Sequence, residues 1–418
     1  MSSLNNKRNT KGIAHVGLIL VVILIAVVGL VGYRVYSSNK SPKAANSGKG
    51  GKTAAGDAFI QQYGRGCSDR QVSFTSPPMA FNDLGYIRPL GAVADGHVTP
   101  TDHVYVVPAN QSAADGTVPV FMPADGKIVE IDAMPAQYIG DNKDQKTAPE
   151  DHRLVMMFSC RYYAIFIHVH KLADKLHAQV GTQAPSSQKQ VSVDMKAGEL
   201  IGYDGPQGND WVPIDTTVKL GFIFPKLYDS EPWKIHTVSP YDLYSGSLKS
   251  QLEAKSLRDV LPIGGKIDYD LAGKLIGNWF RQGTNGYAGA DQSRYWDGHL
   301  SIAPDYIDPT ATVVSIGNWQ GTAKQLLVKG SADPAKVDAS SGMVKYELSD
   351  SGYQRAAGGV WNPTMGLARD LHAVPAGTVQ GTIAFQVMAG EKLKVEKFPG
   401  KSAAQVTGFT AAAQTYER

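Results

Sequence analysis

The stretch VPVFMPADGKIVEI, residues 118–131, decides the fold class. Val118 to Phe121 is a short apolar run interrupted by Pro119. Pro123-Ala-Asp-Gly126 is a turn, and Lys127 to Ile131 is a compact run rich in β-formers. Short apolar runs bounded by Pro, Asp and Gly read as strands joined by turns. A second segment, KAGELIGYDG at 196–205, has the same form, with glycines where a tight turn needs them. The two read as half-repeats. Around them lie further strand candidates at 104–107 (VYVV), 154–158 (LVMMF) and 163–167 (YAIFI), with another turn at Asp204-Gly-Pro206. The expected result is an all-β domain over 58–245.

The whole chain has 418 residues, room for two domains and an additional segment. With 44 glycines and 23 prolines it is punctuated into short pieces, which favours strands over long helices. Charged residues are 19% and the net charge is +3. The folded part has no sustained basic stripe, so nucleic acid is excluded as a partner class.

The run 118–129 resembles the core strand pair of the lysostaphin-type, LytM-like zinc endopeptidases. That family is built on the duplicated hybrid motif, a β-sandwich also seen in biotinyl and lipoyl carriers. Ala197-Gly-Glu-Leu-Ile-Gly202 resembles the family's second half. The order of pieces agrees over roughly 90–225: His97 with Asp102, the Pro-Ala-Asp-Gly turn, a strand ending in His168, then Lys-Ala-Gly-Glu. The resemblance implies that His97 and Asp102 are zinc ligands and His168 a catalytic histidine. The spacing departs from the family, with four residues between His97 and Asp102 where the family has three. A final His-x-His is expected where this chain reads WVPIDTTVKLGF (211–222), and no histidine is there. One zinc ligand and one base are missing, which implies a degenerate, non-catalytic domain.

A rebuilt site is the alternative. His168-Val-His170 on a strand would put two imidazoles on one face, since side chains alternate with period two. His97, Asp102 or His103 could complete a zinc site with His170, leaving His168 as the catalytic group of an active peptidoglycan endopeptidase. The plainer reading makes these histidines buried polar residues bonded to backbone. Likewise Trp211, Tyr228 and Trp233 would line a glycan groove or simply fill the core.

Ile13 to Tyr33 reads IAHVGLILVVILIAVVGLVGY, with no charged residue. As a helix it would span roughly 31 Å, the thickness of bilayer hydrocarbon. No small-x-small cleavage site follows, so a retained single-pass signal anchor is expected, after a short tail at 1–12. Flanking charge does not orient it: Lys7, Arg8 and Lys11 precede it, but Arg34, Lys40, Lys43, Lys49 and Lys52 follow. Residues 34–57, rich in Ser, Gly, Ala and Lys, read as a flexible linker. Cys67 and Cys160 are the only cysteines. They are either two separate buried thiols or one disulfide, which would require an oxidising compartment.

Near 245–259, SGSLKSQLEAKSLRD has helical composition and marks a boundary. Beyond it, strand candidates at 312–316, 325–328, 343–348, 378–387 and 392–396 predict a second β-rich domain over 260–418, a barrel or sandwich. Gly277-x-Trp279 resembles the lipocalin Gly-x-Trp, although a Trp closing a small barrel needs no ligand. Asp268, Asp270, Asp297 and His299 would form a polar site or serve as turn residues. The combined expectation is a mostly β, membrane-anchored protein with its bulk outside the cell membrane, binding peptidoglycan or an envelope protein.

Overall fold

The computed structural model describes residues 55–134, 150–330 and 332–418. The expected anchor at 13–33, the tail before it and most of the linker lie outside the described residues. Among the described residues no helix is long and apolar enough to cross a membrane.

The described chain begins not with a strand but with a helix, α1 (Ala55–Tyr63), which starts inside the stretch read as linker. Phe59 and Tyr63 stand four residues apart on one helical face, and both are buried. They pack on Tyr163 and Trp233 and so cover one face of a sheet.

Ten strands follow: β1 (Leu84–Arg88), β2 (Val104–Pro108), β3 (Val118–Phe121), β4 (Gly126–Ala133), β5 (His152–Met157), β6 (Tyr162–Val169), β7 (Lys171–Leu172), β8 (Gln188–Met195), β9 (Leu200–Asp204) and β10 (Asn209–Asp215). Helix α2 (Asp174–Val180) lies between β7 and β8. Among the described residues they make a seven-stranded sheet, β1-β2-β10-β6-β5-β4-β8, and a three-stranded sheet, β3-β9-β7. Both contribute side chains to one core, in which Trp211 stacks against Phe74 and meets Phe166 edge-on.

The Pro123–Gly126 turn does not fold β3 back on β4. It carries the chain from the small sheet to the large one, since β3 pairs with β9 and β4 with β5 and β8. The Lys196–Gly198 turn makes the reverse switch from β8 to β9. The two turns sit side by side: Asp125 accepts from Ala197 N at 2.9 Å and Lys196 Nζ at 3.0 Å. Met122 N donates to the Glu199 carbonyl at 2.9 Å. Gly126 is required there because a Cβ would lie 2.6 Å from the Met157 carbonyl.

After α3 (Gly246–Glu253) come β11 (Gly277–Arg281), β12 (His299–Pro304), β13 (Thr312–Ile316), β14 (Lys324–Lys329), β15 (Val344–Arg355), β16 (Val360–Trp361), β17 (Leu371–Met388), β18 (Lys392–Pro399) and β19 (Gln414–Glu417). They run up and down in chain order. β14–β15 and β11–β19 pairing closes eight of them into a barrel, with β16 outside on β15. Closure leaves these strands no free edge. The interior is filled by side chains such as Trp279, Leu300, Tyr346 and Phe385. Of the two architectures expected, the second region is therefore a barrel.

The barrel and the sheets share packing. The β11–β12 connection sends Tyr287, Tyr295 and Trp296 into the core of the first sheets. The β15–β17 ribbon brings Trp361 against Tyr86. Cys67 and Cys160 are joined by a disulfide, their Cα atoms 5.0 Å apart.

The four polar residues singled out in the barrel region do not converge. Asp297 pairs with Arg294 at 2.7 Å, and Asp268 accepts from Gly221 N at 2.7 Å. Asp270 binds Asn278 N and Ile223 N. His299 is buried among Phe280, Tyr287 and Tyr295, with ring centroids 5.0, 5.1 and 5.4 Å away. Burial lowers its pKa from 6.5 to about 3. The unfolded chain then binds a proton that the native state refuses, so stability is complete above the unfolded pKa and falls as pH drops from about 6.5 toward 3. The expected loss across that window is up to about 4 kcal/mol. Urea unfolding at stepped pH should show this slope, and His299→Phe should flatten it. An unchanged slope in the variant would refute the assignment.

Candidate functional site

The outer face of the large sheet, away from the small one, holds a chamber of about 50 Å³, room for only a few waters. Its walls come from several elements. The loop before β2 supplies His97, Asp102 and His103. β6 supplies Ile165, Ile167 and His168, and β10 supplies Asp210 and Val212. The segment after β10 adds Glu231, Trp233 and Lys234, and Tyr287 of the β11–β12 connection closes it. Period-two alternation along β10 explains the split: Trp211 points into the sandwich core while Asp210 and Val212 face the chamber.

Six buried or mostly buried groups form a row of alternating charge. Lys234 Nζ lies 3.1 Å from Asp102 Oδ1, and Asp102 Oδ1 lies 3.3 Å from His103 Nδ1. Asp210 Oδ2 lies 3.6 Å from both His103 Nε2 and His168 Nε2. His168 Nδ1 ends the row 3.0 Å from Asp151 Oδ2. Trp233 Nε1 donates to the other Asp102 oxygen at 2.9 Å. Each charge is compensated by its neighbours, which burial demands.

The proton affinities follow. Burial alone would raise Asp102, but Lys234 and His103 hold it well below the usual carboxylate range. Burial opposes the protonated imidazoles, yet Asp210 and Asp102 raise His103, and Asp151 and Asp210 raise His168 to about 9. Burial raises Glu231 to about 7. His97, whose ring packs 5.3 Å edge-on from His103, goes the other way. Burial and the nearby cations His103 and Lys234 lower it to about 3.

His97, Asp102, His103 and His168 are thus brought together. The three-ligand zinc site implied by the family resemblance does not fit them. Both Asp102 oxygens are engaged by Lys234 and Trp233, His103 lies between two carboxylates, and β10 offers Val212 beside Asp210 instead of a histidine pair.

His170 is brought to His168 but not to the rest of that set. β6 ends at Val169 and His168 has φ 74°, so regular strand alternation stops there, yet ligand atoms of the two imidazoles lie within 4.8 Å. His170 lines a separate surface cavity of about 400 Å³ with Asp115, Glu150 and His177. Its Nδ1 lies 3.3 Å from Asp115 Oδ1, and burial lowers its pKa. Among the described residues, the ligand atoms that converge are those of Asp151, His168 and His170, all within 4.8 Å of one another.

Sequence reading missed Asp151, Asp210, Glu231 and Lys234. Asp210 and Val212 had a usable signal, their alternation in the strand after KAGELIG. Asp151 had a weaker one, standing just before the strand that pairs with β6. Lys234 had none, because it reaches Asp102 from 132 positions away in a segment of irregular turns. Trp233, weighed as a groove aromatic, is buried against α1 and Arg153.

No family model, curated protein or solved structure matches the chain.

Proposed function

We propose that the chain is a membrane-anchored, extracytoplasmic envelope protein whose first β region is a LytM-like duplicated hybrid motif that has lost hydrolytic activity and binds peptidoglycan. The observation that carries this reading is the buried Lys234–Asp102 contact at 3.1 Å. An ammonium occupies the carboxylate that a hydrolytic zinc would need. Two sheets exchanging strands through paired turns, and a disulfide suited to an oxidising compartment, support the fold family and the location. The apolar run at 13–33 supports the anchor.

Two measurements test it. The full chain, purified in detergent, should co-sediment with cross-linked peptidoglycan sacculi and release no soluble muropeptides. Muropeptide release would establish the rival reading, an active zinc endopeptidase, and failure to sediment would remove the binding role. Protease added to intact cells should cut the chain between residues 34 and 54, whereas protection would place the bulk inside.

A further inference from the structure

We infer that Asp151, His168 and His170 form a site for one divalent first-row transition cation of the zinc class, separate from the Lys234–Asp102 pair. The ligand atoms of these three residues lie within 4.8 Å of one another, and Asp151 Oδ2 and His168 Nδ1 are already 3.0 Å apart. Ligands on a tetrahedral zinc at about 2.0–2.1 Å stand roughly 3.3 Å from each other. Reaching that spacing requires the set to close by up to about 1.5 Å. Two imidazoles and a carboxylate are the donor set that such cations prefer over magnesium or calcium.

A buried imidazole–carboxylate contact is also the expected look of a plain ion pair, so the unspent groups decide. Asp151 is 3% exposed, and among the described residues its Oδ1 has no hydrogen-bond partner. His170 is 8% exposed, and its Nδ1 faces Asp115 Oδ1 at 3.3 Å, which leaves Nε2 for a cation. Asp204, fully buried next to them in the fold, spends only Oδ2, on Asn209 at 2.6 Å. Among the described residues no lysine or arginine forms an ion pair with Asp115, Asp151, Asp204 or Asp210. Those acids are balanced by imidazoles alone, whose protons a divalent cation can replace.

The surroundings have the form of a metal site's outer layer. A ligating imidazole commonly turns its other nitrogen to a carboxylate, which fixes its orientation. Asp210 Oδ2 stands 3.6 Å from His168 Nε2, and Asp115 Oδ1 stands 3.3 Å from His170 Nδ1. Gly205 makes room for that second pair: a Cβ there would lie 2.5 Å from Asp115 Oδ1 and 2.7 Å from the His170 ring. The cation would join the threshold of β5 to the end of β6 and the start of β7, fastening the large sheet to the small one.

This inference does not depend on the peptidoglycan reading. The full chain, stripped with a chelator and dialysed, is titrated with Zn²⁺ alone and separately with Co²⁺. One equivalent should bind, and Co²⁺ should develop the visible absorption of a four- or five-coordinate nitrogen and oxygen site. His170→Gln and Asp151→Asn should weaken binding about a hundredfold or more, and Asp115→Asn about tenfold. Asp102→Asn should leave it unchanged. Absence of stoichiometric binding by the wild-type chain overturns the proposal without recourse to any variant. So does loss of binding in Asp102→Asn with retention in His170→Gln. If metal binds as stated and muropeptides are also released, the site stands and the non-hydrolytic reading falls.

Discussion

Lys234→Met is expected to lower the free energy of unfolding by about 3–5 kcal/mol, read as a fall in the urea midpoint at unchanged slope. Lys234 is 2% exposed and opens a three-residue 3-10 helix. It stays because it is the counter-ion of Asp102 at 3.1 Å and of Glu231 at 3.6 Å, and it lies 4.6 Å above the Tyr287 ring. Methionine matches its volume but leaves Asp102 buried with only the Trp233 and His103 contacts. Glu231, raised to about 7 by burial, can shed its charge by taking a proton. Asp102 then keeps only His103 to hold its carboxyl down against burial. The double variant Lys234→Met/Asp102→Asn removes the orphaned charge and should recover a large part of the loss. A single-variant effect under about 1 kcal/mol, the range of exposed ion pairs, would mean that water reaches the pair.

Arg418→Ala should cost a similar amount, about 3–5 kcal/mol, and should loosen the barrel at its seam. β19 meets β11 through only two residue pairs, Phe280 with Glu417 and Arg281 with Tyr416. Arg418 extends that junction with side-chain bonds. Its Nη2 donates to Leu271 O at 2.6 Å and Lys274 O at 2.7 Å, and its Nε to Glu391 at 2.8 Å. Nη1 donates to Ile276 O, and the guanidinium covers the Trp279 ring at 4.0 Å. A planar fork is needed to reach several carbonyls while stacking, so Arg418→Lys should rescue little. Hydrogen exchange should show β11 and β19 opening first in the alanine variant. A lysine variant as stable as wild type would show that charge alone suffices.

Much of this architecture was legible in the residues. Strand runs such as 104–107, 118–121, 163–167 and 312–316 carry apolar side chains between turn residues, and each is a strand. The half-repeats at 118–131 and 196–205 are related in space, turn against turn. Strands such as β8 and β12 were not legible, because exposed or polar residues interrupt their apolar pattern: QKQVSVDM is largely exposed, and β12 carries His299 and Ser301 buried on the face opposite Leu300 and Ile302. The site was legible by composition and not by connection. His97, Asp102, His103 and His168 do share a chamber, yet their partners Lys234, Asp210 and Asp151 arrive from distant elements. Local spacing does not encode such pairings. The His168-Val-His170 pair does bring two imidazoles together, although the backbone leaves regular strand geometry at His168.

The disulfide also decides how tension would run through this molecule. A pull delivered along the chain from before residue 55 stretches α1 first and then arrives at Cys67. There the covalent bridge passes the load straight to Cys160, between β5 and β6, skipping the 93 positions of chain that separate the two cysteines. The bypassed stretch contains β1 to β5 and the His97–His103 loop. Those elements carry no tension while the bridge is intact. Reducing it would place the site's own loop in series with whatever pulls on the protein.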